Sequence, residues 1–298
     1  MSEPILDPVE VSSLSEDGAL ERLDRWESSL APSTLAEIPS HRGGSVLVLG
    51  DTHADWPTSQ ELVRRFLSER GPDDWLVALG DYVDRSPFSL PLGSLRNALF
   101  WLSVRAAHPD RVVLLRGNHE TQRQIPGPAQ EVLYEASERW GSSRVGDRIE
   151  DLFDRLPLAA VTENGAYLAH AGFPMTSLGD WRSALRKGGE ALLLQVVWND
   201  VAVSPTCGNR GIDQEPISPE NLTDFFARSG TSVFVRGHDP AVAGKFLFDR
   251  RLLTLQSTRV YPRAGLTLAR LPLGERLRVL EPAFLERREF PPIPSRVA

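Results

Sequence analysis

Cysteine is almost absent from this 298-residue chain: Cys207 stands alone, so no disulfide can form within it and a zinc site built of thiolates is excluded. Lysine is nearly as scarce. Only Lys187 and Lys245 of the 33 basic residues are not arginine, which reads as a coding bias rather than arginine chemistry at every position. Positive charge is not in excess either. The formal net charge of −7 leaves no overall footprint for nucleic acid or an anionic membrane, although a local basic pocket stays open. No apolar run reaches membrane-spanning length, and MSEPILDPVEV lacks the basic-then-apolar order of an export signal. A soluble, cytoplasmic protein with no nucleic-acid or membrane partner is expected. The apolar (41%) and charged (24%) shares suffice for one sizeable core.

What the chain does have is a rhythm. Ser45–Gly50 is an apolar strand pattern that runs into Asp51-Thr52-His53-Ala54-Asp55, and Trp75–Leu79 is another that stops at Gly80 before Asp81-Tyr82-Val83-Asp84-Arg85. Arg111–Leu115 ends in Arg116-Gly117-Asn118-His119-Glu120, Ala166–Ala169 delivers His170, and Ser232–Val235 ends in Arg236-Gly237-His238-Asp239. Helical spacing fills the intervals over residues 59–69, 90–108, 129–140, 147–156 and 219–228, the last with Ser218 as N-cap and Pro219 in first position. Residues 250–255 and 266–280 alternate like strands of a second sheet. Leu192–Val197 is largely apolar and reaches Trp198-Asn199-Asp200. Residues 1–44 read as an N-terminal extension, helical in part and packed on a body spanning 45–285, with a Pro-rich tail over 286–298. Strands alternating with helices, with polar loops at one strand end, make an α/β domain the simplest account.

Four of the six histidines stand just past these apolar strands. One histidine so placed is ordinarily a hydrogen-bonded loop residue. Four of them, joined by Asp51, Asp81, Asp84 and Asn118, suit hard or borderline divalent ions, since imidazole and carboxylate bind manganese, iron or zinc without thiolate. Asp51 and His53 share one loop, and Asp81 can bridge two ions. Two ions about 3.5–4 Å apart can clamp both oxygens of an in-line displacement and acidify a shared water.

GDTHAD, GDYVDR and RGNHE, then a histidine after a strand and a later RGH, resemble the phosphoprotein phosphatase family of dinuclear metallophosphoesterases, in family order from about Val46 to Tyr261. The resemblance implies a calcineurin-like fold, with two mixed β-sheets packed as a central sandwich, helices outside and the metals at the strand-end loops. It implies one ion on Asp51, His53 and Asp81, and another on Asp81, Asn118, His170 and His238, manganese being the first expectation, with iron or zinc also fitting. It makes His119 the general acid, braced by Asp84, and gives the substrate phosphate to Arg85, Arg210 and Asn118, with Tyr261 lining the site and Asp200 close by. Tyr261 could equally be a packed aromatic, and Asp200 a structural hydrogen-bond partner.

The function implied is hydrolysis of phosphoserine or phosphothreonine in proteins by direct attack of hydroxide, with regulatory subunits unread. A nucleotide or diadenosine polyphosphate hydrolase is the first alternative. A catalytically dead phosphoprotein-binding scaffold is the second, which the complete ligand set argues against. Ala54 and Asp55 stand where the family usually has glycine and a neutral polar residue, Ala171 replaces the first of two glycines after His170, and the segment before Arg210 is unlike the family's.

Overall fold

The computed structural model describes residues 4–30, 33–126, 130–175, 180–209, 215–291 and 293. Their strands are β1 (Leu35–Ile38), β2 (Ser45–Leu49), β3 (Trp75–Ala78), β4 (Val112–Leu114), β5 (Ala159–Thr162), β6 (Ala166–Ala169), β7 (Val233–Arg236), β8 (Phe246–Leu247), β9 (Leu252–Thr254), β10 (Leu266–Pro272) and β11 (Leu285–Arg288). Their helices are α1 (Glu16–Glu27), α2 (Trp56–Glu69), α3 (Gly93–Ala107), α4 (Glu131–Trp140), α5 (Arg144–Phe153), α6 (Trp181–Lys187), α7 (Glu190–Val197) and α8 (Pro219–Ser229).

Two mixed sheets form, in the orders β1-β5-β6-β7-β9-β8 and β11-β10-β2-β3-β4. The apolar runs are continuous because each central strand is buried on both faces. In β2, Val46 and Val48 pack between the sheets with Val77, Leu168 and Val235, while Leu47 and Leu49 face the layer of α1–α5. On the far side Tyr167, Phe234 and Leu252 pack under α6–α8 through Trp181, Val196 and Phe225. The result is a helix–sheet–sheet–helix sandwich, as expected. Ser218 caps α8 in a reciprocal box with Asn221.

Two elements differ from the sequence reading, and a third is one it leaves unassigned. The stretches over 250–255 and 266–280 do not share a sheet: β9 pairs with β7 and β8, whereas β10 pairs with β2 and β11. Alternation reveals a strand but not its neighbour. The largely apolar run Leu192–Val197, which the sequence leaves unassigned, is helical; six residues, five of them apolar, are too few for periodicity to tell. The expected helix from Leu90 begins at Gly93: Pro91 disfavours helical backbone at Leu90, and Leu92 is left-handed at φ 56°. The segment before residue 45 also contributes an edge strand, β1, parallel to β5, and β11 runs through Arg288 into the stretch read as a tail.

Strands β2, β3 and β4 are parallel, and so are β6 and β7. Their C-terminal ends therefore bring five polar loops to one edge of the sandwich.

Candidate active site

Backbone geometry at that edge is unusual. Five of the nine non-glycine residues with positive φ among the described residues are His53, Asp81, Asp84, Arg85 and His238. Such conformations are costly for L-residues and persist where the surroundings enforce them. Two glycines allow the loops to close: a Cβ on Gly117 would strike Asp81 Oδ1, and one on Gly237 would strike Asp51 Oδ1.

Hydrogen bonds then lock loop to loop. The N–H of His53 donates to the Asp81 carbonyl at 2.7 Å. The N–H of His238 donates to Asp51 Oδ1 at 2.8 Å, and that of His119 to Asp81 Oδ1 at 3.1 Å. Glu120 accepts three backbone N–H groups, from Asp81 (2.7 Å), Tyr82 (2.7 Å) and Gly117 (2.9 Å). Asn97, buried in α3, donates to the Tyr82 carbonyl at 2.7 Å and to Thr52 Oγ1 at 3.1 Å. At the far end of the loop, Glu131 accepts from the N–H groups of Arg85 and Ser86, both at 2.9 Å.

Sequence reading missed these three supports as separate residues. Glu120 was visible as the last letter of RGNHE, and Asn97 as a polar residue within an apolar helix. Glu131 gave no signal.

The imidazoles are aimed by what they touch outside the site. His170 Nδ1 lies 3.1 Å from the Leu79 carbonyl and His53 Nδ1 lies 3.0 Å from that of Val83. A carbonyl only accepts, so each ring carries its proton on Nδ1 and turns the Nε2 lone pair inward. There His170 Nε2, His238 Nδ1 and Asn118 Oδ1 stand 2.9–3.2 Å from one another. Lone pairs converging so closely fit a cation, because ligands about 2.1 Å from an ion at right angles lie about 3 Å apart.

Asp81 faces both halves of the cluster, with Oδ1 3.4 Å from His170 Nε2 and Oδ2 3.7 Å from His53 Nε2. Asp51 Oδ2 is 3.9 Å from His53 Nε2. Burial drives Asp51 up to about 6, against the opposing pull of the His238 N–H and of His119. It raises Asp81 well above the carboxylate range and lowers His53, the latter helped by repulsion from His119. Bound cations reverse that burial penalty. The residues present therefore fit divalent metal.

His119 is different in kind. Its Nδ1 meets Asp84 Oδ2 at 2.6 Å, and the buried Asp84 carboxylate also takes the Gln122 side-chain amide and the Glu131 N–H. Burial would lower the imidazole, but the Asp81 charge and the Asp84 hydrogen bond outweigh it and lift His119 to about 9. Its Nε2 is 3.9 Å from Asp81 Oδ2. Distances alone would allow it as a metal ligand beside His53 and Asp81; the carboxylate partner, in place of a carbonyl, favours the protonated ring.

Arg85 and Tyr261 stand together at the mouth, the guanidinium 5.6 Å from the ring centroid, and Tyr261 is 5.6 Å from the His53 ring. Asp200 Oδ1 lies 3.8 Å from His238 Nε2. Arg210 lies outside the described residues. Asp55 has formed a buried pair with Arg259, whose N, Nε and Nη2 reach its carboxylate at 2.9, 3.0 and 2.5 Å.

Residues 44–242, two thirds of the chain, match the family model for calcineurin-like phosphoesterases. The chain belongs to that family. It is a metallophosphoesterase, and its histidines and aspartates can hold the divalent metal that calcineurin-like phosphoesterases use. Among solved structures it is similar to a protein serine/threonine phosphatase from Saccharomyces cerevisiae with similarity to human phosphatase PP5, at 21% identity over 89% of this chain and 82% of that one, with a TM-score of 0.67. It is also similar to a cold-active protein tyrosine phosphatase, at 15% identity over 82% and 78% of the two chains and a TM-score of 0.55. A third similar structure is a putative diadenosine tetraphosphatase, at 19% identity over 80% and 92% and a TM-score of 0.47. At these identities the likeness is one of fold. No helix among the described residues is long and apolar enough to cross a membrane.

Proposed function

We propose that this calcineurin-like phosphoesterase is a phosphomonoesterase acting on phosphoserine and phosphothreonine in proteins. The observation that carries the reading is the 2.6 Å contact between His119 and Asp84 beside the metal cluster. An alkoxide is a poor leaving group and needs a proton, whereas a phenolate or a phosphate leaves with less help. A buried carboxylate that holds an imidazolium ready is suited to the harder case.

Asp51, His53 and Asp81 would hold one ion, and Asp81, Asn118, His170 and His238 the other. Their nitrogen and oxygen donors suit manganese, and iron or zinc also. When bound, the pair supplies Lewis-acid polarisation and a nucleophilic water at neutral pH.

The chain's own groups do the rest. Arg85 presents a guanidinium that can take two phosphoryl oxygens, held at its backbone by Glu131. Asn118 orients the same group, and the Tyr261 ring limits where it can sit. Arg210 is proposed as the second phosphate arginine. His119 donates its proton from Nε2 to the departing oxygen, while Asp84 keeps the ring in place through Nδ1.

The test is turnover on phosphoserine, phosphothreonine and phosphotyrosine peptides and on diadenosine tetraphosphate, with manganese restored after chelation. Preference for phosphoserine and phosphothreonine peptides supports the reading. Preference for the dinucleotide overturns it.

A further inference from the structure

Beside the metal centre, and opening onto it, lies a second and larger hollow. Its volume is about 700 Å³ against about 410 Å³ for the centre, and Arg85 and Tyr261 line both. Three segments distant in the chain wall it: Pro87 and Phe88 after Arg85, Val260 and Pro262 around Tyr261, and Phe290 with Ile293. These walls are mainly carbon. Phe88 is 94% exposed, a large ring that loses contact with water only if something else covers it.

The hollow is also held in shape. Besides its pair with Asp55, Arg259 donates from Nη1 to the Pro291 carbonyl at 2.9 Å. One guanidinium thus ties the loop that carries His53, the loop that carries Tyr261 and the chain beside Phe290. Asp55 is the residue before α2, yet its side chain makes no cap hydrogen bond there; it is given to Arg259 instead. Arg288 is likewise engaged, by Glu286 at 2.5 Å. No carboxylate contacts the Arg85 guanidinium among the described residues, so the phosphate-binding group stands at the boundary between the two hollows.

We propose that this hollow is a subsite for the peptide flanking the phosphoresidue, and that it takes an aliphatic or aromatic side chain. The inference rests on the phosphoprotein reading given above. A phosphate held at Arg85 places its own residue at the boundary, and an extended peptide advances about 3.3 Å per residue, so the side chain read is one to three positions away. Apolar walls reward burial of carbon. Of the polar lining, Thr258 is buried and already bonded to Asp55 and the Val260 N–H, and Arg259 and Arg288 are engaged by Asp55 and Glu286, while Glu289 is exposed at the edge and disfavours an acidic side chain there.

The test is kcat/KM on phosphothreonine peptides that differ at one position, with Gly, Asp, Leu or Phe placed one, two or three residues to either side. Wild type, Phe88→Ser and Ile293→Asp are compared. At one or more of these positions the wild type should favour Leu or Phe over Gly about tenfold, equivalent to about 1.4 kcal/mol. Both substitutions should bring that ratio towards one. A variant that is partly unfolded lowers every peptide alike and leaves the ratio standing. A wild-type ratio near one at every position, or a ratio unchanged in both variants, overturns the subsite while phosphopeptide turnover keeps the functional reading. Turnover of diadenosine tetraphosphate with none of any phosphopeptide overturns both.

Discussion

On the floor of the site, Asp51, His53, Asp81, Asp84, Asn118, His170 and His238 are all 5% exposed or less, whereas at the rim Arg85 and Phe88 stand in solvent. The floor consists of buried polar groups, four of them (His53, Asp81, Asp84 and His238) in positive-φ backbone, and any one removed leaves others buried and unmatched. The rim consists of more exposed side chains, attached to a wall that the Asp55–Arg259 pair ties to the loop of His53. The difference teaches where chemistry and recognition reside. On the function proposed above, floor residues govern whether a phosphoester is cleaved at all, and rim residues govern which one.

Substitutions can break that division or sharpen it. The largest effect is expected at Asp81, whose two oxygens face the two halves of the cluster, His170 on one side and His53 on the other. Asp81→Asn should lose bound metal and reduce kcat by about 10³-fold, a scale set by removal of preorganised electrostatic groups. Metal content and turnover on the purified protein check it.

Next comes the pair behind the rim. Arg259→Ala leaves the Asp55 carboxylate buried without its cation and should cost about 3 kcal/mol of stability. Asp55→Asn added to it should recover part of that loss, as denaturant unfolding of the single and double variants would report. Full additivity would mean that the pair is not coupled.

A smaller effect concerns the support under the loop of Arg85. Glu135 is pushed up to about 7 by burial, against the Leu95 N–H and the Ser86 hydroxyl that bond it. A raised carboxyl pKa gives stability that is complete below the free value of 4.5 and is lost as pH rises through about 7. Stability should therefore fall across that window, and Glu135→Gln should flatten the fall. Unfolding curves at several pH values decide it.

The floor was legible in the sequence because its residues sit in short strings directly after apolar strands, where polar groups have no structural reason to crowd. The rim was not. Asp55 and Arg259 are 204 positions apart, and Asp55 could be seen only as a departure from the family pattern. Glu131 supports Arg85 from 46 positions away through backbone N–H groups that any residue carries. Strand partners were hidden for the same reason: β10 and β9 alternate alike, and only their long-range contacts sort them into different sheets. Local patterning records which face of an element is buried, not what it is buried against.

The central claim is that His119 protonates the leaving oxygen while Asp84 holds the ring. It is tested most directly by kcat for a series of phosphomonoesters of decreasing leaving-group acidity, measured for wild type and His119→Asn with metal content verified in both. The account predicts a shallow dependence on leaving-group pKa for wild type and a steep one for the variant, with a loss of about 10²–10³-fold on alkyl esters and little on activated aryl esters. Parallel dependences in the two proteins would contradict it.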